Sequence, residues 1–285
     1  MQEQKIEFRS IDGVRLAGTF CQSDSRKGLA IFTHGIPSNR EENGFYTSLA
    51  EKLSAIGFDS FRFDFREMGQ SEKRDVTRLS VNDLICDTES AYLAARKISR
   101  KEHKHVCAVG FSCGGGILLK WRNMYAHKEV KNLFLLCPVL DYVYECTGYG
   151  REDFATHREQ VEAEIRKNGY VKDRDEKYGA AFLASAFDFD YDRETELSKA
   201  NVTVFHGDRD KSVPIEISRN YAAKHGRQVE LVEIGGAGHG FFCANNDGTG
   251  TLSEAMCAEN SAKMRNAVID RICIKLREGN KNERE

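Results

Sequence analysis

Short apolar runs alternate with longer segments of helical periodicity along most of this chain. Six runs rich in Val, Ile, Leu and Phe are typical of buried strands: 29–33, 59–65, 105–111, 132–139, 202–206 and 229–234. The intervening periodicity predicts helices, most clearly over 46–56, 81–98, 215–224 and 253–277. Strands and helices that alternate in this way form a parallel sheet covered on both faces. The chain is therefore predicted to have an α/β fold.

The first strand-like segments differ from this pattern. Residues 5–10 and 14–21 flank Asp12-Gly13, a dipeptide that favours the left-handed positions of a tight turn. An opening β-hairpin is therefore predicted. Among the helices, the one over 81–98 is expected to direct one set of side chains at the sheet: Leu84, Ile85, Ala91 and Leu93.

Size and charge exclude several classes of protein. The 285 residues, 40% of them hydrophobic, can bury one large core or one core with a smaller unit. A formal charge of −2 from 42 basic and 44 acidic residues gives no field that would gather nucleic acid or anionic lipid. Residues 1–10 lack the apolar run of a secretion signal or membrane span, so we expect a cytoplasmic protein with no membrane partner.

The nine cysteines are an odd number and lie mostly inside apolar runs. This placement predicts buried free thiols in a reducing compartment. No pair has the spacing of a zinc knuckle.

One interval interrupts the alternation of strands and helices. Residues 141–200 are charged and aromatic without a buried-strand run, which predicts a helical cap inserted over the carboxyl edge of the sheet. The core would then comprise 1–140 and 201–278, followed by a charged tail, 279–285. The aromatic side chains of the cap either line an acyl pocket or form the cap's own core.

The chemistry centres on Gly110-Phe111-Ser112-Cys113-Gly114, which fits G-x-S-x-G. It follows a predicted strand and leads directly into a predicted helix. In a strand-to-helix turn of this kind, a Cβ at either flank would clash with the backbone, and the serine hydroxyl is presented at the helix N-terminus. A glycine-rich turn with an incidental serine is the simpler alternative.

Four further segments come at strand ends and resemble motifs of the α/β-hydrolase family. They are 33–37 (H-G-x), 64–71 (D-x-R-G-x-G-x-S), 206–214 (G-x-x-D-x-x-V-P) and 238–241, a histidine loop. The resemblance implies a mostly parallel eight-stranded sheet with helices on both faces and a small helical cap after the sixth strand. Within the family, the chain is most similar to cinnamoyl or feruloyl esterases and to monoacylglycerol lipase and S33-type peptidases.

The residues and the resemblance together assign a catalytic triad. Ser112 needs a base to accept its proton, and an imidazole suits that task near neutral pH. His239 follows the last strand and is the candidate, whereas His34 is expected to hold the shape of its loop. The resemblance favours Asp210 over Asp208 as the carboxylate that orients the imidazole.

The same resemblance implies an oxyanion hole made by the backbone N–H groups of Ile36 and Cys113. The Cys113 thiol itself is expected to pack rather than react. Glu67 stands where the family usually has glycine, and Arg66 is expected to pair with a carboxylate or a backbone carbonyl. No metal and no organic cofactor is implied.

These assignments predict a serine hydrolase that cleaves carboxylic esters of small to medium acyl substrates through an acyl-enzyme. A thioesterase, an amidase or peptidase, and an acyltransferase would use the same triad, and a non-catalytic binding protein could retain the fold. The expected partner is a small ester or related acyl compound. A homo-oligomer stays open, because the N-terminal hairpin or the cap offers an edge through which two copies could pair.

Overall fold

The computed structural model describes residues 2–150, 153–173, 176–244 and 253–282. Its strands are β1 (Gln2–Arg9), β2 (Arg15–Gln22), β3 (Gly28–Thr33), β4 (Phe58–Asp64), β5 (His105–Phe111), β6 (Val130–Leu136), β7 (Tyr170–Asp173), β8 (Glu176–Gly179), β9 (Asn201–Gly207) and β10 (Val229–Ile234). Its helices are α1 (Phe45–Ala55), α2 (Val81–Ser99), α3 (Cys113–Met124), α4 (Tyr142–Thr147), α5 (Phe154–Asn168), α6 (Ala180–Phe187), α7 (Tyr191–Ser198), α8 (Ile215–His225) and α9 (Glu254–Asn282).

Eight strands form one sheet in the order β1-β2-β4-β3-β5-β6-β9-β10. The hairpin strands β1 and β2 are antiparallel to each other, and β2 is antiparallel to β4. The remaining neighbours pair in parallel, so β4, β3, β5, β6, β9 and β10 end at one edge. The predicted α/β-hydrolase architecture is confirmed.

Two apolar cores lie on opposite faces of the sheet. One core includes side chains of α2, α3 and α8, such as Leu84, Trp121 and Tyr221. The other includes α1 and α9, through Leu53 and Ile272 among others. Because both faces are covered, strands such as β3 and β4 are buried at every residue. The expectation for Leu93 is wrong: 54% of it is exposed.

The segment between β6 and β9 contains α4 to α7. It also holds an antiparallel hairpin of β7 and β8, which the sequence did not predict. Its buried aromatic side chains pack into the same core as α2 and α3; they are Tyr142, Phe154, Tyr178, Phe182 and Phe189. For these five, packing is therefore the role that the structure shows.

At the carboxyl end, α9 continues to Asn282, four residues into the segment predicted as a tail. Residues 283–285 of that segment lie outside the described residues. None of the helices in the described ranges is both long and apolar enough to span a bilayer.

Asp59, fully buried in β4, joins three separate elements by hydrogen bonds. It accepts from the Ser23 backbone N–H at 2.9 Å and from His103 Nε2 at 3.0 Å. Arg26 Nε and Ser99 Oγ donate to it at 3.3 and 3.2 Å. Although burial raises the pKa of the Asp59 carboxyl, these donors, His103 first, lower it to about 2.

Replacement of Asp59 by alanine should lower the free energy of unfolding by about 3–5 kcal/mol, because it leaves buried donors and charges without their shared acceptor. Since the pKa is depressed in the folded state, the carboxylate's contribution is present above about pH 4 and is lost as the pH falls toward 2. Urea unfolding followed by the fluorescence of Trp121, the single tryptophan, measures both effects. Asp24→Ala, at an exposed position, is the control, and an equal small loss in both variants would contradict the account.

Candidate active site

Ser112 lies between β5 and α3, at the edge where the parallel strands end. Its backbone has φ 51° and ψ −123°, a conformation that costs a non-glycine residue about 1–3 kcal/mol. Hydrogen bonds to the end of β6 and the residues after it hold it there: Ser112 N–H donates to Leu136 O at 2.9 Å, and Val139 N–H donates to Ser112 O at 3.0 Å. The serine is 5% exposed.

The glycines on either side of Ser112 are required by close packing. A Cβ on Gly110 would lie 2.6 Å from Gly114 O, and a Cβ on Gly114 would lie 2.4 Å from Thr33 O. Both contacts involve backbone atoms, which cannot move aside as a side chain can. The flanking glycines therefore allow α3 to begin directly against β3 and β5, as the sequence predicted.

His239 and Asp210 meet above the ends of β9 and β10. His239 Nδ1 donates to Asp210 Oδ2 at 2.7 Å, and the His239 side chain is 26% exposed while that of Asp210 is fully buried. His239 packs against Phe111, the residue before Ser112, with ring centroids 4.9 Å apart. The structure thus brings the predicted histidine beside both the predicted carboxylate and the serine turn.

The Asp210 carboxylate is held from several directions. Its Oδ1 accepts the backbone N–H groups of Ser212 and Val213 at 2.8 and 2.9 Å. A second imidazole, that of His206, lies with Nε2 3.3 Å from Oδ2. Burial raises the pKa of the Asp210 carboxyl, but His206, His239 and the backbone donor lower it to well below its usual range. Asp210 is therefore an anion at neutral pH, fixed against His239.

Ser112 and His239 line one cavity of about 250 Å³. Its walls also include Ile36 and the charged side chains of Glu42, Glu145 and Arg265. No hydrogen bond joins Ser112 Oγ to His239 in the described structure. The two side chains therefore line the same cavity without a hydrogen bond between them.

The two predicted oxyanion donors belong to different elements near Ser112. Cys113 is the first residue of α3, so its N–H belongs to the first turn of the helix. Ile36 lines the cavity from the loop after β3. That loop is held by His34, whose Nε2 accepts from Phe65 N–H at 3.0 Å and whose Nδ1 then donates to Gly35 O at 2.7 Å. His34 thus holds its loop, as predicted.

Glu42 also holds the loop that carries Ile36. Its Oε2 accepts from Gly35 N–H at 3.0 Å, and its Oε1 accepts from Ser38 Oγ at 2.9 Å. Burial raises the pKa of the Glu42 carboxyl, whereas its bonds to Gly35 and Ser38, and the charge of His239, act in the opposite direction. The Glu42 carboxylate is therefore a support for the loop and a neighbour of the imidazole.

Glu42 begins a turn with positive φ at three successive residues: Glu42 (45°), Asn43 (53°) and Gly44 (79°). Arg265 of α9 stabilises this turn, because its Nη2 donates to Glu42 O at 3.2 Å and to Asn43 O at 2.9 Å. The guanidinium also lies over the rings of Phe45 and Phe242. A residue of the last helix thereby supports the loop that follows β3.

Glu145 of α4 brings a carboxylate from the inserted segment to the cavity wall. It is 6% exposed. Tyr178 Oη donates to its Oε1 at 3.4 Å, and Cys113 Sγ lies 4.0 Å from the same oxygen. The Cys113 thiol therefore faces the inserted segment, in a fully buried position, in keeping with its predicted packing role.

One set of potential metal ligands occurs among the described residues. Donor atoms of Cys137, Asp210 and His239 lie within 4.8 Å of one another. Asp210 and His239 are already hydrogen-bonded to each other. Burial and the neighbouring Asp210 raise the pKa of the Cys137 thiol, so it is a poor ligand at neutral pH.

The remaining candidates from the sequence are structural. Arg66 makes an ion pair with the buried Asp87, with Nη2 2.7 Å from Oδ1. Glu67 adopts φ 67°, the left-handed conformation that explains why the family has glycine there. Asp208 accepts from Gly236 N–H at 2.7 Å and stays apart from the imidazole.

Comparison with known families decides the membership of this chain. Residues 24–246 match the family described as serine aminopeptidase, S33. The chain belongs to this family. It is therefore a hydrolase with the α/β-hydrolase fold. A search of curated proteins gives no match.

Solved structures share the fold of this hydrolase at low sequence identity. Est1E from Butyrivibrio proteoclasticus, solved with ferulic acid bound, is 17% identical, with a TM-score of 0.68 over 94% of this chain and 99% of that one. An esterase from Pyrococcus furiosus is 19% identical, with a TM-score of 0.61 over 95% and 91%. The α/β hydrolase GrgF from Penicillium sp. sh18 is 15% identical, with a TM-score of 0.63 over 95% and 99%.

Four residues at the site of this hydrolase were not found from the sequence: Glu42, Glu145, His206 and Arg265. His206 stands inside the acid-loop motif and was the easiest to find, since a histidine at a buried strand end needs polar partners. Arg265 contacts a residue 223 positions away. Contacts of that kind leave no local signal in one sequence.

Burial lowers the pKa of His34 to about 4, so its ring should remain neutral, with the proton on Nδ1, from pH 7 down to pH 5. Nitrogen chemical shifts of ¹⁵N-labelled histidine, assigned with His34→Asn, measure this state. Because the folded pKa is depressed, the neutral ring stabilises the fold fully above about pH 6.5 and less as the pH falls toward 4. Protonation of the His34 ring above pH 6 would contradict this assignment.

Proposed function

We propose that this protein hydrolyses carboxylic esters through an acyl-enzyme formed on Ser112. The observation that carries the proposal is the meeting of three groups at one edge of the sheet. Ser112 and His239 line a single cavity. The 2.7 Å hydrogen bond from His239 Nδ1 to Asp210 fixes the orientation of the imidazole ring. This arrangement supports nucleophilic catalysis by a serine with an imidazole base.

The hydrogen bond to Asp210 determines which imidazole nitrogen acts as the base. A carboxylate only accepts, so His239 Nδ1 carries the proton and Nε2 is left with its lone pair. Nε2 takes the proton of Ser112 Oγ as that oxygen attacks the ester carbonyl. The resulting imidazolium is stabilised by Asp210 at contact distance and by Glu42 at longer range.

The attack places negative charge on the former carbonyl oxygen. The N–H groups of Ile36 and Cys113 are the proposed donors to this oxyanion, and the N-terminal dipole of α3 adds a favourable field. His239 then gives its proton to the departing alcohol. Water, deprotonated by the same imidazole, attacks the acyl-enzyme. The bond between the acyl carbon and Ser112 Oγ then breaks, His239 returns its proton to Oγ, and the acid is released.

The Ser112 hydroxyl and His239 are not yet hydrogen-bonded in the free protein. Catalytic hydrogen bonds often form fully only when substrate is bound. Ser112 Oγ and His239 Nε2 would come together if the Ser112 side chain rotated or if the half-exposed histidine loop shifted slightly. Gly240 in that loop has φ 74°. A bound acyl group that excludes water would favour this closed arrangement.

The cavity favours a small to medium acyl group. Its volume of about 250 Å³ lies just below the usual range of about 300–1,000 Å³ for pockets that bind small ligands. The rings of Phe45, Phe111 and Phe242 form an aromatic part of the cavity wall, and the Glu145 carboxylate is a buried hydrogen-bond acceptor. An aromatic acid ester that carries a hydroxyl group suits these walls, and Est1E, which shares the fold, was solved with ferulic acid bound.

Amide hydrolysis is the second candidate, because the matching family is described as serine aminopeptidase. Both reactions would use the same acyl-enzyme. The ratio of kcat/KM on an ester and an amide of the same acid separates them. A preference for the ester supports the primary proposal, and a preference for the amide assigns the protein as an amidase.

Ser112→Ala should reduce kcat on p-nitrophenyl esters by roughly 10⁴-fold or more, because the nucleophile is lost. Ser212→Ala, which removes another serine hydroxyl from the same cavity wall, is the matched control and should retain activity within about tenfold. Rates of p-nitrophenol release measure both variants. Retention of full activity by Ser112→Ala would show that another group is the nucleophile.

Glu42→Ala should lower kcat by about 10–100-fold with little change in KM, because the loop that positions the Ile36 N–H loses its support. Glu42→Gln keeps an oxygen that can accept from Gly35 N–H, and the Ser38 hydroxyl can rotate to accept from the new amide. Its loss should therefore be much smaller. Steady-state kinetics of the two variants test this role, and equal losses would contradict it.

A further inference from the structure

Strand β1 forms one edge of the sheet and is eight residues long, of which six are exposed. It pairs with β2 in an unbroken antiparallel register from Gln2 to Arg9, and it is the first strand in the sheet order. It contains neither proline nor glycine. Long regular edges of this kind offer unpaired N–H and C=O groups to another strand, and proteins usually shorten or interrupt them.

The charges on β1 follow a symmetric pattern. Because successive side chains point to opposite faces, Glu3, Lys5, Glu7 and Arg9 share one face. All four residues are exposed. The opposite face carries Gln4, Ile6 and Phe8, of which the last two pack partly against the core.

We propose that β1 pairs with β1 of a second copy of this chain, antiparallel and with Ile6 opposite Ile6, to give a two-fold dimer with a continuous sheet. In this register, Glu3 lies opposite Arg9 of the second copy, and Lys5 lies opposite Glu7. The two-fold axis repeats each pair. Residues directly opposite in an antiparallel pair have Cβ atoms about 4.5–5.5 Å apart, within reach of ion pairing.

Alternative registers bring like charges together. A shift by two residues, the smallest that keeps the faces, places either Lys5 opposite Lys5 and Glu3 opposite Glu7, or Glu7 opposite Glu7 and Lys5 opposite Arg9. A parallel pairing of identical residues would place every charge opposite itself. The sequence of β1 therefore favours one register and disfavours its neighbours.

Charges already near β1 leave this pairing intact. Glu3 contacts Arg62 Nη2 at 2.9 Å, and Glu7 lies 3.6 Å from Arg15 Nη1. Both partners lie on the protein's own side of the strand, so each carboxylate can accept from the second copy as well. Arg9 donates through Nη1 to Gly13 O at 2.8 Å, and its other guanidinium nitrogens remain for Glu3 of the second copy.

Exposed apolar side chains adjoin the same edge. Ile11 is 74% and Leu93 is 54% exposed, and both line a groove with Ile6 and Phe8. Side chains beside β1 come close to the second copy when two edges pair. The exposed Leu93, which was expected to face the core, thus lies where a dimer would cover apolar surface.

The opposite edge of the sheet lacks this complementarity. The charged residues of β10 are Glu230 and Glu233, so two copies of β10 would bring only like charges together. Both carboxylates are also paired within the chain, Glu230 with Lys275 and Glu233 with Arg219. Dimerisation through β1 is therefore the pairing that the charges support.

Sedimentation velocity and light scattering on the purified full chain test the proposal. The expected result is a species of twice the 32.2 kDa chain mass. Lys5→Glu and Glu7→Lys should each raise the dimer dissociation constant by about tenfold or more, because each creates like-charge contacts twice across the axis. The double variant K5E/E7K restores opposite charges in the same register and should restore the dimer.

Lys167→Glu, a charge reversal at an exposed position of α5, is the matched control and should leave the dimer unchanged. Circular dichroism and ester turnover should be equal in all variants, since the altered side chains are exposed and lie outside the cavity. A wild-type monomer at concentrations up to about 100 µM would overturn the proposal. A dimer that both single reversals leave intact, or that the double variant fails to restore, would overturn it as well.

Discussion

The backbone of Ser112 is the constraint on which the rest of the site depends. Its positive φ allows β5 to pass directly into α3, which raises the side chain above the edge of the sheet and directs the helix N-terminus at the same point. This turn is possible because Gly110 and Gly114 lack a Cβ and can therefore lie in close contact with neighbouring backbone. Strain at one residue is compensated by hydrogen bonds to the end of β6 and by the cores on both faces of the sheet.

In addition, buried neighbouring groups fix the position of the Asp210 carboxylate and of the Ile36 loop. The backbone N–H groups of Ser212 and Val213 and the imidazole of His206 fix Asp210. Its negative charge is therefore held beside His239. The loop of Ile36 is supported in the same way by His34 and Glu42. In each case, a buried polar group is satisfied by a neighbour on a different element. Groups fixed in this manner need little reorganisation when charge develops during a reaction.

Much of the fold and of the candidate site could be predicted because local patterns encode it. The apolar runs gave β5 and β10 with the bounds that the structure has, and the motifs stood at strand ends, where a parallel sheet gathers loops. Other features have no local pattern. The hairpin of β7 and β8 is short and polar, and the bond between Arg265 and Glu42 spans most of the chain. Leu93 is out of phase with the buried face of α2, because it lies nine residues from Leu84 and therefore about 180° around the helix. It faces solvent while Ala91 and Ala95 beside it are buried.

The role of Ser112 is tested most directly by locating a covalent adduct. A fluorophosphonate reacts with an activated serine hydroxyl and should attach to the tryptic peptide 105–120, in which Ser112 is the only serine. Fragmentation in the mass spectrometer distinguishes this serine from Cys107 and Cys113 of the same peptide. The account predicts one adduct, at Ser112 Oγ. An adduct at another residue, such as Ser212 in peptide 212–219, with Ser112 unmodified, would contradict it.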